Sequence, residues 1–597
     1  MSKCHSRRAF LRMTLALTGA TSLLSACAPA ATSAPTAAPA PPKPTSSAPA
    51  AAAPTTVPAP AAPTPAPPAA TAPSNAPPGG STGTPAAVAG VDGKLPSPMA
   101  GVPDGYTKLP QITKSYDGVP GRGGKVNVFT IAYQPPPTPR DGNMLWQDLE
   151  RRLGVTWEPI ITPQPEYGNK SAALIAGGNL PDLFYLNPGQ NATAQYKAMD
   201  QGAFTDLTPF VTGDALKSYK NLATFPDYMW NNVKFKNKII GVPKPLQRNG
   251  NIGFYREDWV RKLGKAAPTS MAELHDVLVA FAKGDPDGNG QADTWGLGRY
   301  GSDFPGWDDA RVAYNMTGTP FTWQKNPDGT LTNQIETDQF RQATDFLRTL
   351  YADGAFHPDS SGMTFAQCQA AFLGGKIGIH SEGLGNFYSP TIEGTVYFKI
   401  HQADPTAVLT GLYPANVAGA KAVTRNTQGS FGFTAIPATV GKDTERVKEL
   451  LRILDYLASP FGSEEWFFLQ YGVEGVNYQM TNGVPALTDR GIAERGDLTY
   501  VMANVPVLFF PRAPEAVAPA QKMALDIIKT GIDDPSWPLY SATNVAKAPE
   551  LSQFGFDSIT AIVTGRQPLS ALDEVIKEWK SRGGDMIRQE FQDSMKA

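Results

Sequence analysis

Lys125-Val-Asn-Val-Phe-Thr-Ile131 is an alternating run rich in β-branched residues that reads as a strand, ended by Pro135-Pro136-Pro137, which removes three backbone donors. Leu145 to Leu153 carries apolar residues at helical spacing, and Thr156 to Ile161 reads as a second strand. After a helical stretch, Ala172 to Ala176, and the turn Gly177-Gly178-Asn179, Leu183 to Leu186 reads as a third. Strands alternating with helices predict a mainly parallel sheet, whose ligand crevice lies at the carboxyl ends of its strands.

Working outward, composition turns globular after Lys94. The roughly 500 residues that follow exceed what one core usually holds, so two lobes are expected. Ser270-Met-Ala-Glu273 is a capping-box pattern ahead of Leu274, Val277, Leu278 and Phe281. Val447, Leu450, Leu451 and Leu454, and later Leu572, Val575, Ile576 and Trp579, repeat that helical stripe. All three stripes read as core faces.

Toward the N-terminus the chain reads as an address and a spacer. Ser6-Arg7-Arg8-Ala9-Phe10-Leu11-Arg12 precedes the apolar run Met13 to Ala26, the layout of an export signal, and the paired arginines resemble a twin-arginine signal. Leu24-Ser25-Ala26-Cys27 resembles a bacterial lipobox, which makes residues 1–26 the signal peptide and Cys27 the lipidated N-terminus. The apolar run is too short to span a bilayer. Ala28 to Val91 is almost wholly Ala, Pro, Thr, Ser and Gly, with Lys43 its sole charge, so it cannot build a core and reads as a semi-stiff tether. Residues 27–97 are taken as this tether and 98–597 as the folded part. With Cys4 in the signal and Cys27 lipidated, Cys368 has no partner for a disulfide. Removing the signal leaves 48 basic against 54 acidic residues, which speaks against a nucleic-acid binder and leaves the acyl chains as the membrane contact.

Two patterns bear on chemistry. Asp285-Pro-Asp287-Gly-Asn289-Gly290-Gln291-Ala-Asp293 places oxygen side chains as an EF-hand loop does, with Gln291 offering its carbonyl, and predicts a structural Ca²⁺. Gly296 stands where that loop carries its bidentate Glu, so the alternative is a metal-free Asp/Gly turn. Against an enzyme, His275, His357, His380 and His401 fall in no metalloprotease motif, and the chain has no nucleophile elbow or Walker loop. Glu464-Glu465 and Asp308-Asp309 are adjacent carboxylates that would not face one another across a glycosidic bond.

Several collinear stretches resemble the extracellular solute-binding proteins, family 1, that serve carbohydrate ABC importers. They include Leu174-Ile-Ala-Gly-Gly-Asn-Leu-Pro-Asp182, Lys236-Asn-Lys-Ile-Ile-Gly-Val-Pro243, Phe254-Tyr-Arg256-Glu-Asp258-Trp259, Phe372-Leu-Gly-Gly-Lys-Ile-Gly378 and Tyr471-Gly-Val-Glu-Gly-Val-Asn-Tyr478, together with the Asp285 loop. The resemblance implies an α/β, two-lobe periplasmic-binding-protein-like fold of type II, acting as a monomer, with ligand between lobes joined by hinge crossings. It puts lobe one at residues 122–245 and 430–485, lobe two at 246–429 and 486–597, and hinges near Pro243 to Arg256 and Gly429 to Pro437. The partners that the resemblance implies are a carbohydrate, in the form of an oligosaccharide, and the ABC permease subunits. The alternative reading is a surface adhesin or carbohydrate-active enzyme without transport. Candidate ligand contacts at strand ends and crossings are Glu166, Tyr167, Asn187, Arg248, Asn249, Ser381, Glu382, Glu474 and Tyr478, with Trp307 and Trp323 as stacking platforms.

Overall fold

In the computed structural model of the chain, residues 93–187, 192–298, 309–419, 421–481 and 483–596 are described. The export signal, Cys27, nearly all of the proposed tether and Trp307 lie outside them.

The opening βαβ reading holds. Strands Thr156–Pro163, Lys125–Ala132 and Leu183–Leu186 lie parallel, with Lys125–Ala132 central. Val126, Val128, Phe129 and Ile131 are buried, and helix Met144–Leu153 packs Leu145, Leu149 and Leu153 inward. Asn143 caps that helix by accepting the Trp146 N–H, and Gly154 ends it in the left-handed region at φ 69°. Two further strands complete the sheet from far along the chain. Ser430–Ala435 runs antiparallel to Leu183–Leu186, and Val242–Pro245 antiparallel to Ser430–Ala435. Val242–Pro245 therefore points the same way as the first three, and residues 133, 187, 245 and 430 share one edge. Helix Thr444–Leu457 covers this core with the predicted stripe Val447, Leu450, Leu451 and Leu454.

A second sheet orders Trp295–Leu297, Ile377–Glu382, Ile252–Arg256 and Leu409–Gly411. Ile252–Arg256 is antiparallel to both neighbours, so Ile252 and Glu382 meet at one edge. Helix Met271–Lys283 buries Leu274, Val277, Leu278 and Phe281, with Ser270 accepting the Glu273 N–H at 3.2 Å. The Glu273 carboxylate reaches Thr269 rather than Ser270, a capping box displaced by one residue. Helices Ala542–Val563, Ala571–Trp579 and Asp585–Lys596 close this second core. Among the described residues no helix is long and apolar enough to cross a membrane.

Between the cores the chain forms a hydrogen-bonded ribbon. Leu246 N–H donates to Gly429 O at 2.9 Å, and Thr427 N–H to Arg248 O at 2.8 Å. Thr424–Arg425 pairs in parallel with Gly531–Ile532, adding a third segment. At Gly250 the first crossing presses on the second so closely that a Cβ would lie 1.7 Å from Arg425 O.

Two boundaries move. Residues 486–502, expected in lobe two, belong to lobe one: Val501 and Met502 lie in its core, and Leu498 O accepts the Trp157 indole N–H at 3.0 Å. Glu494 on helix Asp489–Arg495 accepts the Leu145 N–H, tying that helix to the first one. The chain then crosses a third time, since Leu508 and Val517 pack with Phe254 and Leu384. Order also begins before residue 98: Lys94–Leu95 pairs with Asp104–Tyr106, and Leu95 is buried.

Candidate functional site

The carboxyl edge of the first sheet carries an aromatic cluster. Tyr133 follows the central strand directly and is 44% exposed. Its ring lies 5.5 Å from Tyr500 and 6.1 Å from Phe431, and Tyr500 stands edge-on to Tyr185 at 6.0 Å. Phe431 sits at the start of its strand between Gly429 and Gly432, with φ of 74° and 76°. Side chains there would meet the Tyr228 ring and Leu186 O, so glycine is what allows the bend. Asp497 fixes the Tyr133 corner by accepting the N–H groups of Tyr133 at 2.7 Å and Gln134 at 2.9 Å.

Lys244 lies under this cluster, with Nζ 3.8 Å from the Tyr500 ring centroid and 5.8 Å from that of Phe431. Only 9% of the residue is exposed. Burial pushes its pKa down to about 8, a shift that Asp497 partly opposes. The Tyr500 phenol is pushed up by burial and by its neighbours Tyr133 and Asp497, and stays neutral at physiological pH. Beside the cluster, a 380 Å³ cavity is lined by Asn187, Asn232, Ser430, Phe431 and Trp537 among others. Trp537 comes from the segment after the third ribbon strand and stands edge-on to Phe321 at 5.7 Å.

On the facing edge, Glu382 accepts from Gln369 Nε2 at 2.9 Å and Asn386 Nδ2 at 3.0 Å. Ser381 N–H donates to Asp309 at 2.9 Å. His380 is fully buried between Asp309 (3.3 Å) and Glu382 (3.6 Å). Burial opposes its charge, but the two carboxylates outweigh it and push the pKa up to about 9. This triad braces the end of the strand.

The candidate residues separate accordingly. Asn187, Arg248, Asn249, Ser381 and Glu382 fall at the facing edges and the ribbon. Arg248 pairs with Asp533 at 2.5 Å and stacks on Tyr228, while the Asn249 side-chain oxygen is buried without a hydrogen bond among the described residues. Glu166 is exposed on the first turn of helix Gln164–Gly177. Three expectations are corrected. Tyr167 is a core residue: its ring stacks on Phe129 at 5.2 Å, and its hydroxyl donates to Tyr185 O at 2.7 Å. Trp323 is 4% exposed, wedged against Trp579 and Phe591, and offers no face to a sugar. Glu474 and Tyr478 line a separate 770 Å³ groove along helix Met144–Leu153, with Arg151 and Arg152, away from the strand ends. Sequence reading missed Tyr133, Lys244, Phe431, Asp497, Tyr500 and Trp537. Tyr133 alone carried a local signal, as the aromatic residue between the decisive strand and its prolines.

The Asp285 loop folds as a tight Asx structure. Asp285 accepts the N–H groups of Gly288, Asn289 and Gly290, the last of these lowering its pKa most. Burial and the adjoining Asp285 carboxyl raise that of Asp287. Asn289 Nδ2 bridges Asp287 and Asp293, and Asp293 also pairs with Lys376. Among the described residues no three His, Cys, Asp or Glu side chains form a ready metal cluster. The Asp285 and Asp287 carboxylates crowd one another, whereas Gly296 lies in a strand pressed against Leu278 and supplies no side-chain ligand.

Residues 147–482 match the family model described as bacterial extracellular solute-binding protein. The chain is 25% identical over 492 residues to the polygalacturonan/rhamnogalacturonan-binding protein YtcQ of Bacillus subtilis, covering 81% of this chain and 94% of that one. It is 24% identical over 474 residues to lipoprotein LipO of the same organism, covering 76% and 89%. Among solved structures, an HMO binding ABC-transporter associated solute binding protein from Bifidobacterium longum infantis superposes with a TM-score of 0.61 at 18% identity, covering 80% of this chain and 99% of that one. The two-lobe α/β architecture is thus the one these proteins share, and the chain belongs to the bacterial extracellular solute-binding proteins.

Proposed function

We propose that this protein captures a carbohydrate between its lobes and presents it to an ABC importer, without altering it chemically. The observation that carries this reading is the solvent-reaching Tyr133, Phe431 and Tyr500 cluster at the carboxyl edge of one sheet, facing a second lobe across a three-segment ribbon. Aromatic faces stack on the apolar faces of sugar rings while nearby amides and carboxylates bind their hydroxyls. The names of the relatives, which refer to polygalacturonan and HMO binding, agree with it. A ligand touching both lobes favours the closed arrangement by its extra contacts there.

A thermal-shift screen of neutral and acidic oligosaccharides tests the reading. A ligand at 100 times its Kd stabilises the folded state by about 2.7 kcal/mol, a rise of several degrees for a protein of this size. The bound sugar is expected back intact, and the radius of gyration falls on saturation. Cleaved sugar at catalytic turnover overturns capture. Tyr133→Ala is expected to weaken the best ligand about tenfold; unchanged affinity places the sugar elsewhere.

In this reading the twin-arginine-like signal exports the chain and lipid on Cys27 tethers it outside the cell membrane. Cys27→Ser is expected to move the protein from the membrane fraction to the soluble one, and retention in the membrane would exclude the anchor. The Asp285, Asp287, Asn289, Gln291 and Asp293 loop would hold structural Ca²⁺, the ion supplying charge that relieves the Asp285 and Asp287 repulsion. Asp287→Ala is expected to lower the melting temperature only when calcium is present. Identical melting of the parent in calcium and in chelator would count against the site.

A further inference from the structure

Lys244 is nine-tenths buried, and its ammonium, which still reaches solvent, forms no ion pair or hydrogen bond among the described residues; its contacts are the faces of Tyr500 and Phe431. A buried cation loses several kcal/mol of hydration, and a ring face returns about 2 at most. Among the described residues no carboxylate reaches Nζ to close the gap. Asp497 acts on Lys244 only through its field, its carboxylate being held by the Tyr133 and Gln134 N–H groups. The Tyr133, Tyr185 and Tyr500 phenols are pushed toward the neutral form by burial. Other cations near the ribbon are already engaged: Arg248 with Asp533, and Arg425 with Gln334 and the Phe321 ring. Among the described residues, Lys244 is thus a positive charge left without an anionic partner beside the rings that would stack a sugar.

We propose that the carbohydrate captured at this site is acidic, a uronic-acid-containing oligosaccharide whose carboxylate pairs with Lys244 while its ring lies against Tyr133, Phe431 and Tyr500. This rests on the carbohydrate-capture reading above and narrows it to a chemical class. A carboxylate reaching Nζ exchanges its own hydration for a charge-assisted hydrogen bond and restores the lysine to its charged state. A neutral sugar has only hydroxyl dipoles to offer there.

The test uses the whole protein and paired probes, trimers of galacturonate, mannuronate and glucuronate, each beside its carboxyl-reduced counterpart, at fixed calcium. At least one acid is expected to bind about 100-fold more tightly than its reduced partner. Lys244→Met is expected to collapse that ratio toward one, and Lys244→Arg to retain part of it. A wild-type readout guards against a misfolded variant. Calorimetry at pH 8 in buffers of different ionisation enthalpy should show uptake of about half a proton per acidic trimer, and none with the reduced ones. Equal binding within every pair, or a preference untouched in Lys244→Met, overturns the acidic assignment while leaving capture intact. If no acidic trimer binds, the assignment fails, and the neutral half of the thermal-shift screen decides capture by itself.

Discussion

Gly250→Ala is expected to destabilise the protein by more than about 3 kcal/mol, the upper range for a single overpacked residue. The new Cβ would meet Arg425 O at 1.7 Å and Arg425 C at 2.9 Å, and both atoms are backbone. Neither side can step aside easily, because Leu246 N–H to Gly429 O, Thr427 N–H to Arg248 O and Thr427 Oγ1 to Gln247 O tie the two segments on one flank of the contact, while Thr424–Arg425 is paired along its other edge with Gly531–Ile532. Opening the ribbon there would also shift one lobe on the other, so ligand affinity should fall with stability. Gly177→Ala is the matched control: its Cβ meets nothing within 4 Å, and it ends a helix. Urea unfolding of the three proteins makes the comparison, and a Gly250→Ala protein that unfolds with its parent would show that the crossings are not locked together.

That contact shows where sequence stopped informing. Each strand of the βαβ unit carries its own periodicity, so Lys125–Ala132, Thr156–Pro163 and Leu183–Leu186 were legible from local pattern. The fourth strand of the sheet arrives from Ser430, and no local signal tells Ser430–Ala435 which edge to join. The same holds for residues 486–502. Their place in lobe one is decided by Glu494 reaching Leu145 N–H and Leu498 receiving the Trp157 indole, contacts more than 300 residues apart in sequence. The site was read in the same proportion. Asn187, Arg248, Asn249, Ser381 and Glu382, chosen at strand ends and crossings, do fall at the sheet edges and the ribbon. Exposure was not legible, which is why Trp323, bordered by turn residues, turned out to be held by C-terminal helices. Lys244 stands in Val-Pro-Lys-Pro, a string that gives no hint of burial; only the assembled sheet puts it beneath Tyr500.

Lys244→Met is expected to stabilise the unliganded protein by about 2 kcal/mol at pH 7. Burial holds the folded-state pKa at about 8, below the ordinary lysine value of 10.5. Where both folded and unfolded states are protonated, below pH 8, that difference is a penalty of about 3 kcal/mol, and the lost contact with Tyr500 returns about 1 of it. Between the folded and unfolded values the unfolded chain binds more protons than the native one, so parental stability rises with pH, and above the unfolded value the penalty is gone. The advantage of Lys244→Met should therefore be full at pH 6 to 7 and shrink steadily toward pH 10. Denaturant unfolding of both proteins across that range measures it, and a Lys244→Met protein less stable than its parent at pH 7 would mean that the lysine already has its anion. A residue that weakens the empty receptor and strengthens the filled one concentrates its effect on the difference between the two. That difference is what a capture protein presents to its transporter, since a ligand can shift the lobes only by as much as it prefers one arrangement over the other.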